Sequence, residues 1–286
     1  MSIKVLVTGA NGQLGSTIKE LYSTNHANIQ FTFTTKAELD ILNKKEIEKF
    51  FSKNNFDYCI NCTAFTNVEQ AEKTPETAFK INAEGVKYLA QICKVTNTVL
   101  IHISTDYVFD GSKNEPYSEL DIPNPINEYG KSKLLGEQHI QNTLEEHFII
   151  RTSWLYSEYG TNFMKTMLRL SEGRDELNVI CDQTGTPTYA KDLAEIILEI
   201  INRNNKQYGI YHYSNLGDTN WYDFAKTIFE FLGIKIKLNP IKSEVYPTLA
   251  KRSKYSVLDK SKIKKKFGVE IPFWKDSLQK VISNIK

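Results

Sequence analysis

A short apolar, largely β-branched run, Ile3-Lys4-Val5-Leu6-Val7, passes directly into Gly9-Ala10-Asn11-Gly12-Gln13-Leu14-Gly15. Leu14, Ile18, Leu21 and Tyr22 then recur at helical spacing. Strand, glycine turn and helix in immediate succession restrict what the chain can become more than any other stretch does. Glycines allow the backbone to turn tightly and to come close to whatever the turn holds. The first turn of the helix then presents free N–H groups to an anion. The stretch therefore predicts a dinucleotide pyrophosphate site, with Gly9, Asn11, Gly12, Gln13, Leu14 and Gly15 against the cofactor.

The alternation continues. A second strand, Gln30 to Thr34, leads to Thr35-Lys36. An acidic side chain at that strand end would bind the ribose diol of NAD and repel a 2′-phosphate. Lys36 stands there instead and favours NADPH, while nearby Glu38 and Asp40 leave NADH open. Asp40-Ile41 begins the next connection, and Ile47, Phe50 and Phe51 give its helix an apolar face. Phe56 to Cys62 predicts a third strand, whose end at Ala64 and Thr66 suits cofactor approach. After a helix carrying Val86, Leu89, Ala90 and Cys93, the strand Thr98 to Ile103 delivers Ser104-Thr105-Asp106 to the same edge. Strands alternating with helices predict an α/β fold, a doubly wound parallel sheet with its site at the strands' carboxyl ends.

Tyr129 and Lys133, four residues apart on the next helix, share one face. A free phenol, with a pKa of about 10, exchanges protons slowly at neutral pH unless a nearby cation favours its ionised form. Lys133 is placed to be that cation. Such a pair also arises by chance on surface helices, so it acquires meaning from Thr105 and the glycine turn. Farther on, Phe148 to Arg151 reads as a strand, Asn162-Phe163-Met164 as part of a helix, and Leu193, Ile196, Ile197, Ile200 and Ile201 as an amphipathic helix returned to the main sheet. Beyond Tyr213 the pattern changes to a helix around Phe224 and Ile228, proline-marked loops and a terminal helix near Asp276 to Ile285. We expect a nucleotide-binding domain over 1–155 and about 187–212, and a smaller carboxyl-terminal lobe from about 156–186 and 213–286.

Together these motifs resemble the extended short-chain dehydrogenase/reductase superfamily, a Rossmann domain with a substrate lobe. Four stretches resemble its dTDP-4-dehydrorhamnose reductase family in order and spacing. They are Ser104-Thr105-Asp106-Tyr107-Val108-Phe109, Asn127 to Lys133, Arg151 to Tyr156, and Asp182-Gln183-x-Gly185-x-Pro187-Thr188. The resemblance implies NADPH-dependent reduction of the C4 ketone of dTDP-6-deoxy-L-lyxo-4-hexulose. Tyr129 would be the proton donor, Lys133 would bind the phenolate and the nicotinamide ribose, and Thr105 would orient the ketone. It further implies that Asp106, Trp154 and Asn162 contact the dTDP-sugar, and Arg252, whose guanidinium matches phosphate geometry in a fork, is the candidate for a diphosphate contact. A magnesium ion, known in some relatives, has no motif here. Ser253 stands where family members usually carry proline. A sugar-nucleotide dehydratase would show Thr-Asp-Glu where this chain has Thr105-Asp106-Tyr107. An epimerase, another 4-ketoreductase, or a non-catalytic regulatory subunit like that of methionine adenosyltransferase shares parts of the pattern.

Composition excludes several other classes. A formal charge of +2 across 286 residues carries no nucleic-acid footprint, and the run Lys260 to Lys266 reads as a solvated face. No stretch reaches the roughly 18 uninterrupted apolar residues of a membrane span, and no signal peptide precedes the first strand, so a cytoplasmic protein is expected. Cys59 and Cys62, inside an apolar run, read with Cys93 and Cys181 as buried reduced thiols. Nothing specifies the oligomeric state, and a homodimer is compatible with the sequence.

Overall fold

The protein is described by a computed structural model over residues 2–22 and 28–285. Strands β1 (Ile3–Thr8), β2 (Ile29–Thr34), β3 (Tyr58–Asn61), β4 (Val99–Thr105) and β5 (His147–Thr152) lie in one parallel sheet in the order β2-β1-β3-β4-β5. A sixth strand, Gly209–His212, extends it in parallel beside β5. The order reverses between β1 and β3, and a crevice opens there at the carboxyl ends of the strands. A parallel sheet must be covered on both faces. That explains why β3 and β5 are buried along their whole length.

Helices α1 (Gln13–Tyr22), α2 (Lys44–Lys53), α3 (Val68–Lys73), α4 (Pro75–Phe79), α5 (Val86–Thr96) and α6 (Glu128–Thr143) belong to the first half of the chain. They are followed by α7 (Phe163–Ser171), α8 (Ala190–Arg203), α9 (Trp221–Leu232), α10 (Ser261–Phe267) and α11 (Trp274–Ile285). Alternate residues of β1 choose the faces. Val5 and Val7 pack with Leu14 and Ile18 of α1 and with Leu193 and Ile197 of α8, which returns to the sheet as its periodicity predicts. Leu6 points the other way, into a layer with Ile47 and Phe51 of α2, Leu89 and Cys93 of α5 and Ile140 of α6.

A third core holds Met164, Phe224, Ile228, Trp274, Leu278 and Val281 together, and so joins α7, α9 and α11. Its floor is a parallel pair, Glu176–Ile180 with Lys237–Ile241, that the sequence reading does not contain. The second strand alternates too weakly, Leu238 being its one large apolar residue before Pro240 and Ile241. The lysine-rich run also differs from expectation. It forms α10, whose Ile263 and Phe267 sit in the first core. Lys260 is largely buried, and the Lys262 ammonium donates to the Ile210 carbonyl at 2.6 Å while lying over the Tyr211 ring. Long aliphatic stems cover apolar surface there, so only part of the run is solvated. Of the cysteines, Cys59 and Cys93 are buried as expected; Cys62 and Cys181 are only partly so.

Candidate active site

The glycine turn is a cradle that side chains would fill. Gly9 adopts φ +68°, and a Cβ on it would stand 2.8 Å from the Cys62 carbonyl carbon. A Cβ on Gly15 would come within 2.4 Å of the Gly9 oxygen, so the helix could not approach the turn. This packing aims the N-terminus of α1 into a cavity of about 510 Å³, and Gly12, Gln13 and Leu14 form one wall of it.

The opposite wall comes from β4 and α6. Thr105 ends the buried strand: its hydroxyl accepts from the Tyr107 N–H at 3.2 Å and donates to Asp106 Oδ1 at 3.1 Å, which fixes the turn that follows. Asn127 caps α6 by accepting from the Gly130 N–H at 2.8 Å, and its amide donates to the Lys251 carbonyl. The helix thus begins where Tyr129 and Lys133 reach the cavity. Glu137, one turn on, lies on the same stripe and is fully buried. It receives a forked pair of bonds from Arg151 of β5, Nη2 to Oε2 at 2.7 Å and Nε to Oε1 at 3.0 Å, together with the Ser104 hydroxyl. The ion pair therefore ties α6, β4 and β5 together at Ser104, one residue before Thr105.

Burial dominates the electrostatics. It raises the Tyr129 phenol well above the ordinary range, with Asp106 and Tyr107 adding to the effect and the Thr105 hydroxyl opposing it. Burial also lowers Lys133 to about 8, opposed by Glu137, and lifts Asp106 to about 6. The phenol therefore stays protonated at neutral pH, the form a proton donor needs. Lys133 does not hold the phenol down as the spacing alone suggested: its ammonium turns to the Ile103 carbonyl at 2.6 Å and lies 3.3 Å from His102 Nε2. A helix register brings two side chains to one face but does not choose their hydrogen-bond partners.

Among the other candidates, Ala64, Thr66, Asp106, Trp154 and Asn162 line the same cavity. Trp154 has φ +47°, unusual for a large side chain, and stacks on Trp221 with centroids 3.5 Å apart. That stacking occupies one face of its indole. The Asn162 amide is engaged inside the chain, donating to the Ser157 carbonyl and Gln13 Oε1 and accepting from the Lys165 N–H. Gly9, Asn11 and Gly15 shape the turn without lining the cavity. Lys36 is exposed at the end of β2, the Asp40 carboxylate caps the Leu42 N–H, and Ile41 is buried against Gly85. Arg252 borders a small adjoining cavity with Asp106, Trp154 and Trp221. It pairs with Glu69 at 3.1 Å, and its buried Nε has no partner among the described residues.

The sequence reading missed Cys62, Asn61, His102 and Glu137. Cys62 lines the cavity, and burial pushes its thiol up, which keeps it neutral. Glu137 could have been found by extending the Tyr129 and Lys133 stripe one turn. Asn61 and His102 leave no trace in spacing, since they meet only across strands. Among the described residues no three His, Cys, Asp or Glu side chains converge as a metal cluster would. Nor is any described helix long and apolar enough to cross a membrane.

A glycine cradle at the switch point of a parallel sheet, facing a tyrosine, lysine and threonine in one cavity, defines a nucleotide-dependent oxidoreductase of the extended short-chain dehydrogenase/reductase class. The profile of the RmlD substrate binding domain family matches residues 3–286, and the chain belongs to that family. It is 40% identical to the dTDP-4-dehydrorhamnose reductase of Aggregatibacter actinomycetemcomitans, over 97% of this chain and 98% of that protein. The dTDP-4-dehydrorhamnose reductase of Bacillus anthracis, solved in complex with NADP, superposes with a TM-score of 0.95 at 38% identity over 99% of this chain and all of that one. The Clostridium acetobutylicum dTDP-4-dehydrorhamnose reductase superposes with a TM-score of 0.94 at 41% identity, over 99% of each chain.

Proposed function

We propose that this protein reduces the C4 ketone of dTDP-6-deoxy-L-lyxo-4-hexulose to give dTDP-L-rhamnose, with NADPH as the hydride donor. The observation that carries the reading is the protonated Tyr129 phenol beside Thr105, in the cavity that the glycine cradle opens into. The cradle fits a dinucleotide because a Cβ at Gly9 or Gly15 would fill it. A dinucleotide held there supplies the hydride, and the remaining work falls to the chain.

Thr105 and Tyr129 bracket the ketone oxygen, and the phenol gives it a proton as charge develops there. Lys133 binds the nicotinamide ribose and stabilises the phenolate that remains. Tyr107 stands where an elimination reaction would need an acid, and its phenol lies edge-on to Tyr129 with centroids 5.5 Å apart. Burial pushes that phenol up to about 12, which leaves it no role as a base at neutral pH. Incubation with the 4-keto sugar nucleotide and NADPH, followed by product analysis, tests the proposal. Stoichiometric NADPH oxidation with formation of the rhamno configuration at C4 supports it; no turnover, or a product of the other C4 configuration, overturns it.

Two contacts are part of the same proposal. Lys36, exposed at the end of β2, meets the 2′-phosphate. A charge-assisted hydrogen bond contributes about 1.5–3 kcal/mol, so Lys36→Glu should lower NADPH affinity relative to NADH by about tenfold or more, read by fluorescence titration of both cofactors. Arg252, with its free Nε beside the substrate side of the cavity, receives the diphosphate in a fork. Arg252→Ala should raise KM for the sugar nucleotide about 10- to 100-fold and leave NADPH affinity unchanged. Parallel loss of cofactor affinity would mean that the Glu69 contact is structural.

A further inference from the structure

His102 is a fully buried, ionisable side chain between two site residues, and the catalytic scheme above assigns it nothing. Its partners determine where its proton lies. The Thr63 backbone N–H can only donate, and it donates to Asn61 Oδ1 at 3.1 Å, where the Thr8 hydroxyl also donates at 2.8 Å. Asn61 therefore turns its amide nitrogen to His102 Nδ1, 3.1 Å away. Nδ1 must accept. With Nδ1 an acceptor, and with burial holding His102 well below its ordinary pKa, the ring is neutral and its single proton is on Nε2. That N–H faces the Lys133 nitrogen at 3.3 Å.

An ammonium has three donors and no acceptor, so it cannot receive this hydrogen. Flipping Asn61 only moves the conflict, because its amide would then face the Thr63 N–H. The chain of donors is satisfied throughout only when Lys133 is an amine that accepts from Nε2 and donates to the Ile103 carbonyl, so the arrangement opposes the ammonium and lowers its proton affinity without removing it at neutral pH.

We propose that Asn61 and His102 are a positioning pair that lowers the proton affinity of Lys133 by directing a fixed N–H donor at its nitrogen. The inference deepens the role given to Lys133 above and rests on it for its link to turnover. Its physical core does not depend on the substrate. The other titratable groups acting on Lys133 are Glu137 on α6 and Cys62 after β3. Glu137 favours the ammonium, but its charge is largely taken by Arg151. Burial acts in the other direction and lowers Lys133 to about 8; on the proposal, the His102 N–H aimed at the same nitrogen adds to that effect.

Asn61→Asp reverses the chain. A carboxylate accepts from Thr63 and also from Nδ1–H, so the proton leaves Nε2, and Nε2 becomes an acceptor for the ammonium. Exchanging a donor conflict for a charge-assisted bond should raise the Lys133 midpoint by about one to two pH units. The experiment is NMR on the cofactor-free protein: ¹⁵N-histidine spectra for the tautomer and ¹³Cε-lysine titration for Lys133, with signals assigned through His102→Phe and Lys133→Met.

The expected result is an Nε2–H tautomer and a depressed Lys133 midpoint in the unaltered protein, both reversed in Asn61→Asp. The midpoint shift should disappear in Asn61→Asp/His102→Phe, and the alkaline limb of kcat/KM should move upward with it in the single variant. An Nδ1–H tautomer in the unaltered protein overturns the inference without any variant having to fold. A shift that persists in the double variant overturns it too, because the new carboxylate would then be acting by charge alone. If the NMR results hold and the sugar nucleotide is not turned over, the proposed function fails while the positioning pair stands.

Discussion

Tyr129→Phe should keep the fold and NADPH binding and lose turnover by about 10²- to 10⁴-fold, the usual contribution of a positioned general acid. The ring stays buried against Tyr107, so packing changes little, and only the proton donor is removed. KM for the sugar nucleotide should stay nearly constant, since the proton is given in the transition state. Thr105→Val, close in shape, should fall less than Tyr129→Phe, and the double variant less than the product of the two, because both groups act on one developing charge. Single-turnover measurements with saturating NADPH would separate these losses from product release. Full turnover by Tyr129→Phe would mean that another residue donates the proton and that the assigned trio is wrong, even with the fold unchanged.

The largest effect on stability is expected at Glu137. Glu137→Ala leaves the Arg151 guanidinium, 2% exposed, without its carboxylate and beneath the sheet's working edge. Removing one partner of a buried ion pair costs about 3–5 kcal/mol, a large share of the 5–15 kcal/mol that holds a typical protein folded. Urea unfolding should show the midpoint falling with the slope unchanged. Replacing both partners, as in Glu137→Met/Arg151→Met, should cost clearly less than Glu137→Ala alone, because no charge is then left buried and unpaired. A surface pair such as Lys226 with Glu230, whose side chains are more than half exposed, should show almost nothing on the same test.

The elements most legible from sequence were those with short-range causes. The glycine turn, the β1 run and the α8 stripe each state their geometry within about a dozen residues, because turn sterics and helical periodicity are local. The pair Glu176–Ile180 and Lys237–Ile241 was not legible, since its partners are separated by almost sixty residues of chain and the second strand, unlike the first, does not alternate strongly. The lysines of α10 concealed the contact of Ile263 and Phe267 with the core, as charge dominated the composition of that stretch.

By itself the sequence determined the succession of the first five strands of the sheet, the cradle at Gly9 and Gly15, and the placing of Tyr129 and Lys133 on one helical face. Each follows from backbone sterics or from a period of 3.6. Only the tertiary structure decided what those side chains do next. It turned Lys133 toward Ile103 and His102 instead of the phenol, set Glu137 against Arg151, stacked Trp154 on Trp221, and committed the Asn162 amide to Gln13. The physical reason is burial: a polar group removed from water must take its partner from whatever the packing places beside it, and in this chain those partners come from strands and loops distant in sequence.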